Sequence, residues 1–339
     1  MIKEALFYEK LGHNLTRCHV CRHYCVIGKN KRGICGVKEN KDGILCSINY
    51  GRIISCNIDP VEKKPLFHFL PGSKTLSFAA AGCNFVCQNC QNWEISQSPK
   101  TEKNIPGKIL PPEKIIELAI QNNAPSISYT YTEPTIFIEY ALDVMKMAKN
   151  QAIKNIWISN GYMSEESLKV IIPFLNAANI DLKSFDDNFY RKYCGALIRP
   201  VLDNLIEIKN KKIWLEITTL IIPSLNDSEK ILRQIAKFIR SNLGAETPWH
   251  VSGFSNKISW KLKNIPNTPI ETIKKAWEIG KEEGLKYVYS GNMPGHPTED
   301  TYCPNCNTRT IERTGYEIKR YDKNGSCQNC KRSLNLITD

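Results

Sequence analysis

The stretch GCNFVCQNC at residues 82–90 decides the fold and the chemistry of this chain, because it sets three cysteines in a C-x3-C-x2-C spacing. Thiolates from Cys83, Cys87 and Cys90 on one tight loop can ligate three irons of a [4Fe–4S] cube and leave the fourth iron open. A structural zinc site is the alternative, but it needs a fourth ligand and none lies nearby. We therefore predict an iron–sulfur cluster whose open corner suits a chelating substrate or cofactor.

The sequence around this loop alternates between strand-like and helix-like patterns. A β-rich run directly precedes the loop, and later runs are separated by amphipathic helical stretches such as residues 112–122. The predicted strands are Thr75–Ala80, Ser126–Tyr131, Asn155–Ser159, Asn179–Lys183, Ile213–Leu220 and Trp249–Phe254, and a last helix leads into a further run at Lys286–Tyr289. This alternation predicts parallel strands joined by right-handed crossovers. Six such units favour an α/β fold, a partial (β/α)6 TIM-like barrel, over a closed barrel of eight units.

Small cysteine-rich, metal-binding appendages flank the predicted barrel on both sides. We divide the chain into a cysteine-rich N-terminal region at residues 1–70, the barrel at residues 71–299, and a zinc-ribbon-like tail at residues 300–339. Turn-forming glycines crowd the first region, and Pro71-Gly72-Ser73 marks the turn into the barrel.

The C-terminal group consists of Cys303, Cys306, Cys327 and Cys330, two C-x2-C knuckles separated by 20 residues. Each knuckle supplies two thiolates, and together they can close a tetrahedron around one zinc ion. An iron site is the alternative. We predict zinc with a stabilising role, although ribbons of this kind also bind partners or nucleic acid.

The N-terminal group consists of Cys18, Cys21, Cys25 and Cys35, with His23 between the second and third cysteines. Four thiolates can hold either zinc or a second iron–sulfur cluster, and the spacing does not decide between them. We prefer zinc at this point. A closed zinc site would serve structure, whereas an auxiliary cluster would serve electron transfer.

Whole-chain composition limits the environment and the partners. The 339 residues include 14 cysteines, and 46 Lys and Arg against 34 Asp and Glu give a formal net charge of +12. Grouped thiols without an export signal favour metal sites in a cytoplasmic protein over disulfides. Apolar stretches such as Ile217–Ile222 are strand-sized, so no membrane span is expected. The scattered lysines favour a solvated basic surface, and an anionic partner such as nucleic acid is the alternative.

Five segments, taken in order, carry a resemblance to a known family. They are DPVEKKPLFHFLPGSKTLSFAAAGCNFVCQNCQNWEISQ (59–97), SYTYTEPT (128–135), SNGYMSEE (159–166), NIDLKSF (179–185) and PWHVSGF (248–254). The chain resembles the radical S-adenosylmethionine (SAM) superfamily, specifically the branch of the pyruvate formate-lyase activating enzymes and the radical SAM member of the AmmeMemoRadiSam system. The resemblance spans nearly the whole chain, including both flanking cysteine groups.

The resemblance implies a mechanism and a set of SAM-binding residues. The open iron would chelate the amino and carboxylate groups of SAM, and an electron from the reduced cluster would cleave SAM to methionine and a 5′-deoxyadenosyl radical that abstracts hydrogen from a substrate. Glu133 matches the position at which members of the family contact the SAM ammonium. Asn160 matches a position at which they approach the ribose or the carboxylate of SAM. Asp181 and Lys183, which share one face of a strand, match a D-x-K pattern beside the methionyl carboxylate. His250 matches a histidine that lines the same pocket, and we predict it to be catalytic.

Each of these residues also has a structural interpretation. Glu133 precedes Pro134 and could simply cap the helix that follows. Asp181 and Lys183 could form a structural ion pair. His250 could be a buried histidine whose hydrogen bonds are satisfied within the core.

The chain departs from the family's pattern at two places. The branch commonly has an aromatic residue just before the third cluster cysteine, where this chain has Asn89. The run of Pro, Asp and Tyr that usually follows the histidine is replaced by residues 255–260, SNKISW. We therefore do not expect this chain to make the contacts to adenine and to substrate that the family makes at these two places.

Two classes of function follow from these patterns. The first is an activating-enzyme-like radical SAM oxidoreductase that takes electrons from a donor such as flavodoxin or ferredoxin. Its substrate would be a small molecule, a residue of a partner protein such as a glycine, or an RNA base. The second is a non-catalytic module that uses zinc or iron–sulfur sites to bind nucleic acid. A binding module needs no vacant iron, so the three-cysteine loop after a barrel strand favours the enzyme.

Overall fold

The computed structural model describes residues 2–102, 104–293 and 296–338. The N-terminal part consists of short antiparallel strands, β1 (Lys3–Glu4), β2 (Tyr8–Gly12), β3 (Leu15–Cys18), β4 (Val26–Ile27), β5 (Lys38–Lys41) and β6 (Ile44–Ser47). They form two three-stranded sheets in the orders β1-β6-β5 and β2-β3-β4. The hairpin from β5 to β6 turns at Asp42 and Gly43, whose φ angles of 51° and 86° are both positive, as a two-residue type I′ turn requires.

A nine-stranded sheet forms the centre of the molecule. Its strands are β7 (Arg52–Pro60), β8 (Lys74–Ala80), β9 (Lys108–Ile109), β10 (Ser126–Tyr129), β11 (Lys154–Ser159), β12 (Ala177–Asp181), β13 (Trp214–Ile221), β14 (Trp249–Gly253) and β15 (Val288–Gly291). The spatial order is β15-β14-β13-β12-β11-β10-β8-β7-β9, and each neighbouring pair from β8 to β15 is parallel. The predicted α/β partial barrel is confirmed. Strand β15 extends the parallel set beyond six, and β7 joins its edge in the antiparallel direction.

Helices connect the parallel strands. They are α1 (Trp93–Thr101), α2 (Pro112–Gln121), α3 (Ile138–Asn150), α4 (Glu165–Ile171), α5 (Asp187–Phe189), α6 (Arg199–Asn210), α7 (Glu229–Phe238) and α8 (Ile270–Glu282). Helix α7 shows why such stretches fold: Ser228 caps its first turn, and Leu232 and Ile235 are buried. Its exposed face carries the ion pair of Arg233 with Glu229. Among the described residues, no helix combines the length and the apolar character needed to cross a membrane.

The C-terminal tail forms a small antiparallel sheet and then returns to the barrel. Its strands are β16 (Thr301–Tyr302), β17 (Arg309–Thr314) and β18 (Glu317–Arg320). The buried guanidinium of Arg313 donates to the carbonyl oxygens of Glu299 and Phe67, both at 3.0 Å, and lies 4.1 Å from the centre of the Phe67 ring. Ile337 forms a β-bridge with Phe69. These contacts fix the tail against the segment that precedes β8.

Candidate active site

The cysteine loop, residues 82–90, follows the carboxyl end of β8 and is held by a segment that precedes α6. Val86 N donates to Cys194 O and Gln88 N donates to Tyr193 O, both at 2.9 Å. Gly195 has a φ angle of 71°, and a Cβ at this position would lie 2.5 Å from Val86 Cγ2. Glycine therefore lets this segment approach the loop closely in a backbone conformation that other residues adopt at a cost.

Each thiol of the cysteine loop has a polar neighbour. Cys83 Sγ accepts a hydrogen bond of 3.4 Å from the backbone N–H two residues later, and Cys90 Sγ lies 3.5 Å from Ser96 Oγ. Cys87 is in hydrogen-bonding contact with Cys194, and the hydrogen bond that the Cys194 thiol donates lowers the pKa of Cys87. Such a donor favours the thiolate form that ligates a metal.

The spacing of the sulfur atoms distinguishes the cysteine groups. In the described part of the chain, only the C-terminal group brings three or more candidate ligand atoms within 4.8 Å of one another. One tetrahedral zinc, with Zn–S bonds of about 2.3 Å, places its sulfurs about 3.8 Å apart. The three thiols of the cysteine loop do not all lie within 4.8 Å of one another. This spacing fits a cluster, because an iron–sulfur cube separates its thiolates by its own width.

Glu133 follows β10 and lies buried beside the cysteine loop. Its Oε1 accepts hydrogen bonds from Thr135 N (3.1 Å), Thr135 Oγ1 (2.6 Å) and Ser159 Oγ (2.8 Å), and its Oε2 accepts one from Asn160 N (2.9 Å). Burial raises the pKa of this carboxyl, and the hydrogen bonds offset only part of that rise. The carboxylate also interacts electrostatically with Cys83. Glu133 thus caps the 3-10 turn that follows it and lies close to the first cysteine of the loop.

Asn160 follows β11 and contacts the same loop. Its Nδ2 donates to Asn84 Oδ1 at 2.7 Å and lies 4.0 Å from Cys83 Sγ. Its Oδ1 accepts a hydrogen bond of 3.0 Å from Tyr162 N, which fixes the orientation of the amide. The structure therefore brings Asn160, Glu133 and the cysteine loop together.

Asp181 and Lys183 lie at the end of β12 and form an ion pair of 2.7 Å, with 40% and 17% of their side chains exposed. Both charges interact with Cys87, and the Lys183 ammonium also interacts with Cys194. Burial lowers the pKa of Lys183, but Asp181 and the two thiols outweigh this effect and raise it. The ion pair lies beside the second cysteine of the loop, and the SAM-binding role of both residues stays a prediction.

His250 lies on β14 in a buried network centred on Glu216. Its Nε2 donates to Glu216 Oε2 at 2.6 Å, and its ring packs against Phe67 and Tyr289 with centroid distances of 4.7 and 5.3 Å. Glu216 also accepts from the backbone N–H groups of Phe67 and His68. Burial raises the pKa of Glu216, but these bonds and the nearby histidines outweigh it and lower the pKa to about 2. These contacts join His250 to the barrel core rather than to the cysteine loop, and its catalytic role stays a prediction.

The flanking cysteine groups are both assembled by the fold. In the tail, Cys303 Sγ lies 3.5 Å from Cys330 Sγ, and Cys306 Sγ lies 3.6 Å from Cys327 Sγ. These distances suit four ligands around one ion. The four N-terminal cysteines line one small cavity that also borders the barrel.

Several residues near the cysteine loop were not indicated by the sequence patterns. Lys100 Nζ donates to Phe85 O at 2.7 Å and interacts electrostatically with all three loop thiols. Ser96 contacts Cys90 of the loop, and Asn84, within the loop, accepts a hydrogen bond from Asn160. Cys194 lies outside the three cysteine groups, and no local pattern in the sequence links it to Cys87.

The segment after β14 also reaches the cysteine loop. Lys261 N donates to Gln88 O at 2.8 Å, and Ser259 Oγ donates to the same oxygen at 3.2 Å. Trp260 stacks parallel to Trp93, with ring centroids 6.3 Å apart and an angle of 8° between the planes. The segment that departs from the family's pattern therefore supplies one ring, Trp260, of an aromatic pair whose other ring belongs to α1.

Comparison with known proteins agrees with this geometry. Residues 79–239 match the family model of the radical SAM superfamily. An uncharacterized protein of Methanocaldococcus jannaschii is 47% identical over 330 residues, which is 97% of this chain and 97% of that protein. The pyruvate formate-lyase-activating enzyme of Clostridium pasteurianum is 25% identical over 226 residues, covering 62% of this chain and 92% of that enzyme.

A likeness of fold alone extends to solved structures. Streptococcus suis SuiB bound to precursor peptide SuiA aligns with a TM-score of 0.50 at 13% identity. The alignment covers 68% of this chain and 51% of that chain.

Proposed function

The chain belongs to the radical SAM superfamily, and from this membership we propose that it cleaves SAM reductively at a [4Fe–4S] cluster held by Cys83, Cys87 and Cys90. When bound, the cluster would supply the electron that splits SAM into methionine and a 5′-deoxyadenosyl radical, which abstracts hydrogen from a substrate. The electron would come from a donor such as flavodoxin or ferredoxin. Similarity to a pyruvate formate-lyase-activating enzyme makes residues of partner proteins the first substrates to test.

One observation carries this proposal, namely the meeting of four chain segments at the carboxyl ends of neighbouring parallel strands. The cysteine loop follows β8, Glu133 follows β10, Asn160 follows β11, and Asp181 ends β12. Folds of this kind place their chemistry at that end of the strands, because the loops there converge. These four segments are thus neighbours in space, whereas His250 contacts Glu216 in the barrel core.

The carboxylate of Glu133 can accept one more hydrogen bond at Oε2, which supports a contact with the SAM ammonium. A carboxylate oxygen has two lone-pair positions. Oε1 already accepts three hydrogen bonds, whereas Oε2 accepts one among the described residues. The bonds to Oε1 fix the carboxylate in place, and Oε2 stays available to the ligand.

Asn160 and Lys183 would serve the rest of the ligand. The Asn160 amide is oriented by two hydrogen bonds next to Cys83, so it would present a polar edge to the ribose or carboxylate. The Lys183 ammonium, beside Cys87, would offset the negative charge of thiolates and of a methionyl carboxylate. These are binding and orienting roles.

The experiment that tests the proposal is a cleavage assay. The full chain is reconstituted anaerobically with iron and sulfide and then mixed with SAM and dithionite. We expect 5′-deoxyadenosine and methionine to accumulate, as measured by liquid chromatography and mass spectrometry. Protein that assembles its cluster and binds SAM, yet forms no 5′-deoxyadenosine, would overturn the proposal in favour of the non-catalytic module.

Changing Glu133→Gln is expected to weaken SAM binding roughly 10- to 150-fold, because a charge-assisted hydrogen bond contributes about 1.5–3 kcal/mol. Anaerobic equilibrium dialysis measures the affinity, and the iron content should stay near that of the unchanged protein. Ser159→Ala is the matched control, because it removes a hydrogen bond to the same carboxylate but leaves the charge. Equal SAM affinity in Glu133→Gln and the unchanged protein would return Glu133 to a capping role alone.

A further inference from the structure

We propose that Cys18, Cys21, Cys25 and Cys35 hold a second [4Fe–4S] cluster, next to the one on the cysteine loop. This goes beyond the proposed function, which needs only one cluster. It also replaces the zinc ion that we preferred for these four cysteines on the basis of the sequence. Three observations support it: the convergence of the four thiols, the width of their spacing, and their position beside the first cluster's ligands.

The four thiols converge on one place in the N-terminal part. They line a single small cavity together with Lys38 and with Ile136 of the barrel. Each pair among the four interacts electrostatically. The backbone supports this convergence, since Cys18 N donates to Cys25 O at 2.9 Å. Four thiols gathered in one cavity form a complete ligand set for a metal centre.

The width of the spacing separates this group from a one-ion site. In the tail, all four sulfurs lie within 4.8 Å of one another, as one zinc requires. Within the described residues, no three sulfurs of the N-terminal group meet that limit, and neither do the three of the cysteine loop. Neither the N-terminal group nor the cysteine loop therefore has the close spacing that the zinc-like group of the tail has. A cube of iron and sulfide accommodates four thiolates held further apart than one ion allows.

The N-terminal group is attached directly to the cysteine loop. His23 Nε2 donates to Asn84 O at 2.9 Å, so its ring binds the loop backbone. A Cβ at Gly82 would lie 3.1 Å from Cys35 O, which shows how closely the two backbones approach. The Lys100 ammonium interacts electrostatically with Cys35 and with the thiols of the loop. A redox-active centre here would lie beside the first cluster, whereas a structural zinc has no need of that position.

The test is a metal count on anaerobically reconstituted full-length protein and on two variants. The unchanged protein should hold about eight irons, two [4Fe–4S] clusters. The variant with Cys83, Cys87 and Cys90 all changed to Ala should keep about four irons, the cluster absorption, and a reducible EPR signal that SAM does not alter. The variant with the four N-terminal cysteines changed to Ala should keep about four irons and a SAM-responsive signal.

The loop variant keeps the proposal falsifiable if the N-terminal variant fails to fold, because it leaves the N-terminal group intact. A loop variant that holds no iron and carries a second equivalent of zinc would overturn the proposal. In the fully reduced unchanged protein, the two EPR signals should broaden through magnetic coupling, and the loop variant should give a single unbroadened signal. Eight irons without 5′-deoxyadenosine would refute the proposed function and leave this inference standing.

Discussion

Replacing Cys83, Cys87 and Cys90 together with Ala is expected to reduce 5′-deoxyadenosine formation below detection. The three thiols are the ligands that the loop after β8 offers to a cluster, and Cys194, in contact with Cys87, cannot replace three ligands. Without this cluster, SAM has no open iron to chelate, because a cluster on the four N-terminal cysteines would have all four of its irons ligated. The iron content should fall by about four per chain, and the EPR change on adding SAM should disappear.

The matched control for this variant is Cys46→Ala combined with Cys56→Ala. These two cysteines lie on β6 and β7, outside the three groups, and carry free thiols. We expect this control to retain its iron and its cleavage activity. A SAM-responsive EPR signal that survives in the triple variant would show that the cluster is bound elsewhere in the chain.

The sequence predicted the barrel well because its local signals agree with one another. The parallel strands, β8 and β10 to β15, are largely buried β-rich runs, and helices such as α2 begin with Pro and bury one face. The fold class and the position of the cysteine loop after the first parallel strand follow from that agreement. Strand β7 begins in a short apolar run at residues 52–54 and continues to Pro60. Its later part is stabilised by antiparallel pairing with β8, a non-local contact that no period in the sequence encodes.

Tertiary contacts explain what the sequence could not predict about the site. Glu216, the partner of His250, was not singled out, since its neighbours on β13 read as an ordinary apolar strand. Cys194 meets Cys87 only because the turn before α6 packs on the cysteine loop. For the N-terminal cysteines, the spacing in sequence allowed two metals, and only the arrangement of the sulfurs in space separates them. Residue type and order thus predict which chemistry is available. The distances between the cysteine sulfurs are what indicate which metal centre a group of thiols can hold.

Removing zinc from the tail is expected to unfold it. We expect one equivalent of zinc per chain, bound by the four C-terminal thiols that lie within 4.8 Å of one another. Among the described residues, the apolar cluster around the tail cysteines contains three buried side chains, Cys303, Cys327 and Leu334. So small a core cannot stabilise a fold without a metal. In zinc-finger peptides, zinc binding contributes about 10–16 kcal/mol to the free energy of folding. The loss of a contribution of that size is more than the small core of the tail can offset.

Changing Cys327→Ala, whose side chain is fully buried, should have the same effect as a chelator. Native mass spectrometry should show the loss of zinc, and limited proteolysis should then cleave within β16 to β18, with Cys46→Ala as the resistant control. The parallel strands should survive because none of them supplies a ligand. The segment before β8 should nevertheless loosen, because Arg313 of β17 lies over the Phe67 ring and donates a hydrogen bond to the Phe67 carbonyl oxygen. A tail that resists protease without zinc, or that holds iron in its place, would contradict a zinc ribbon.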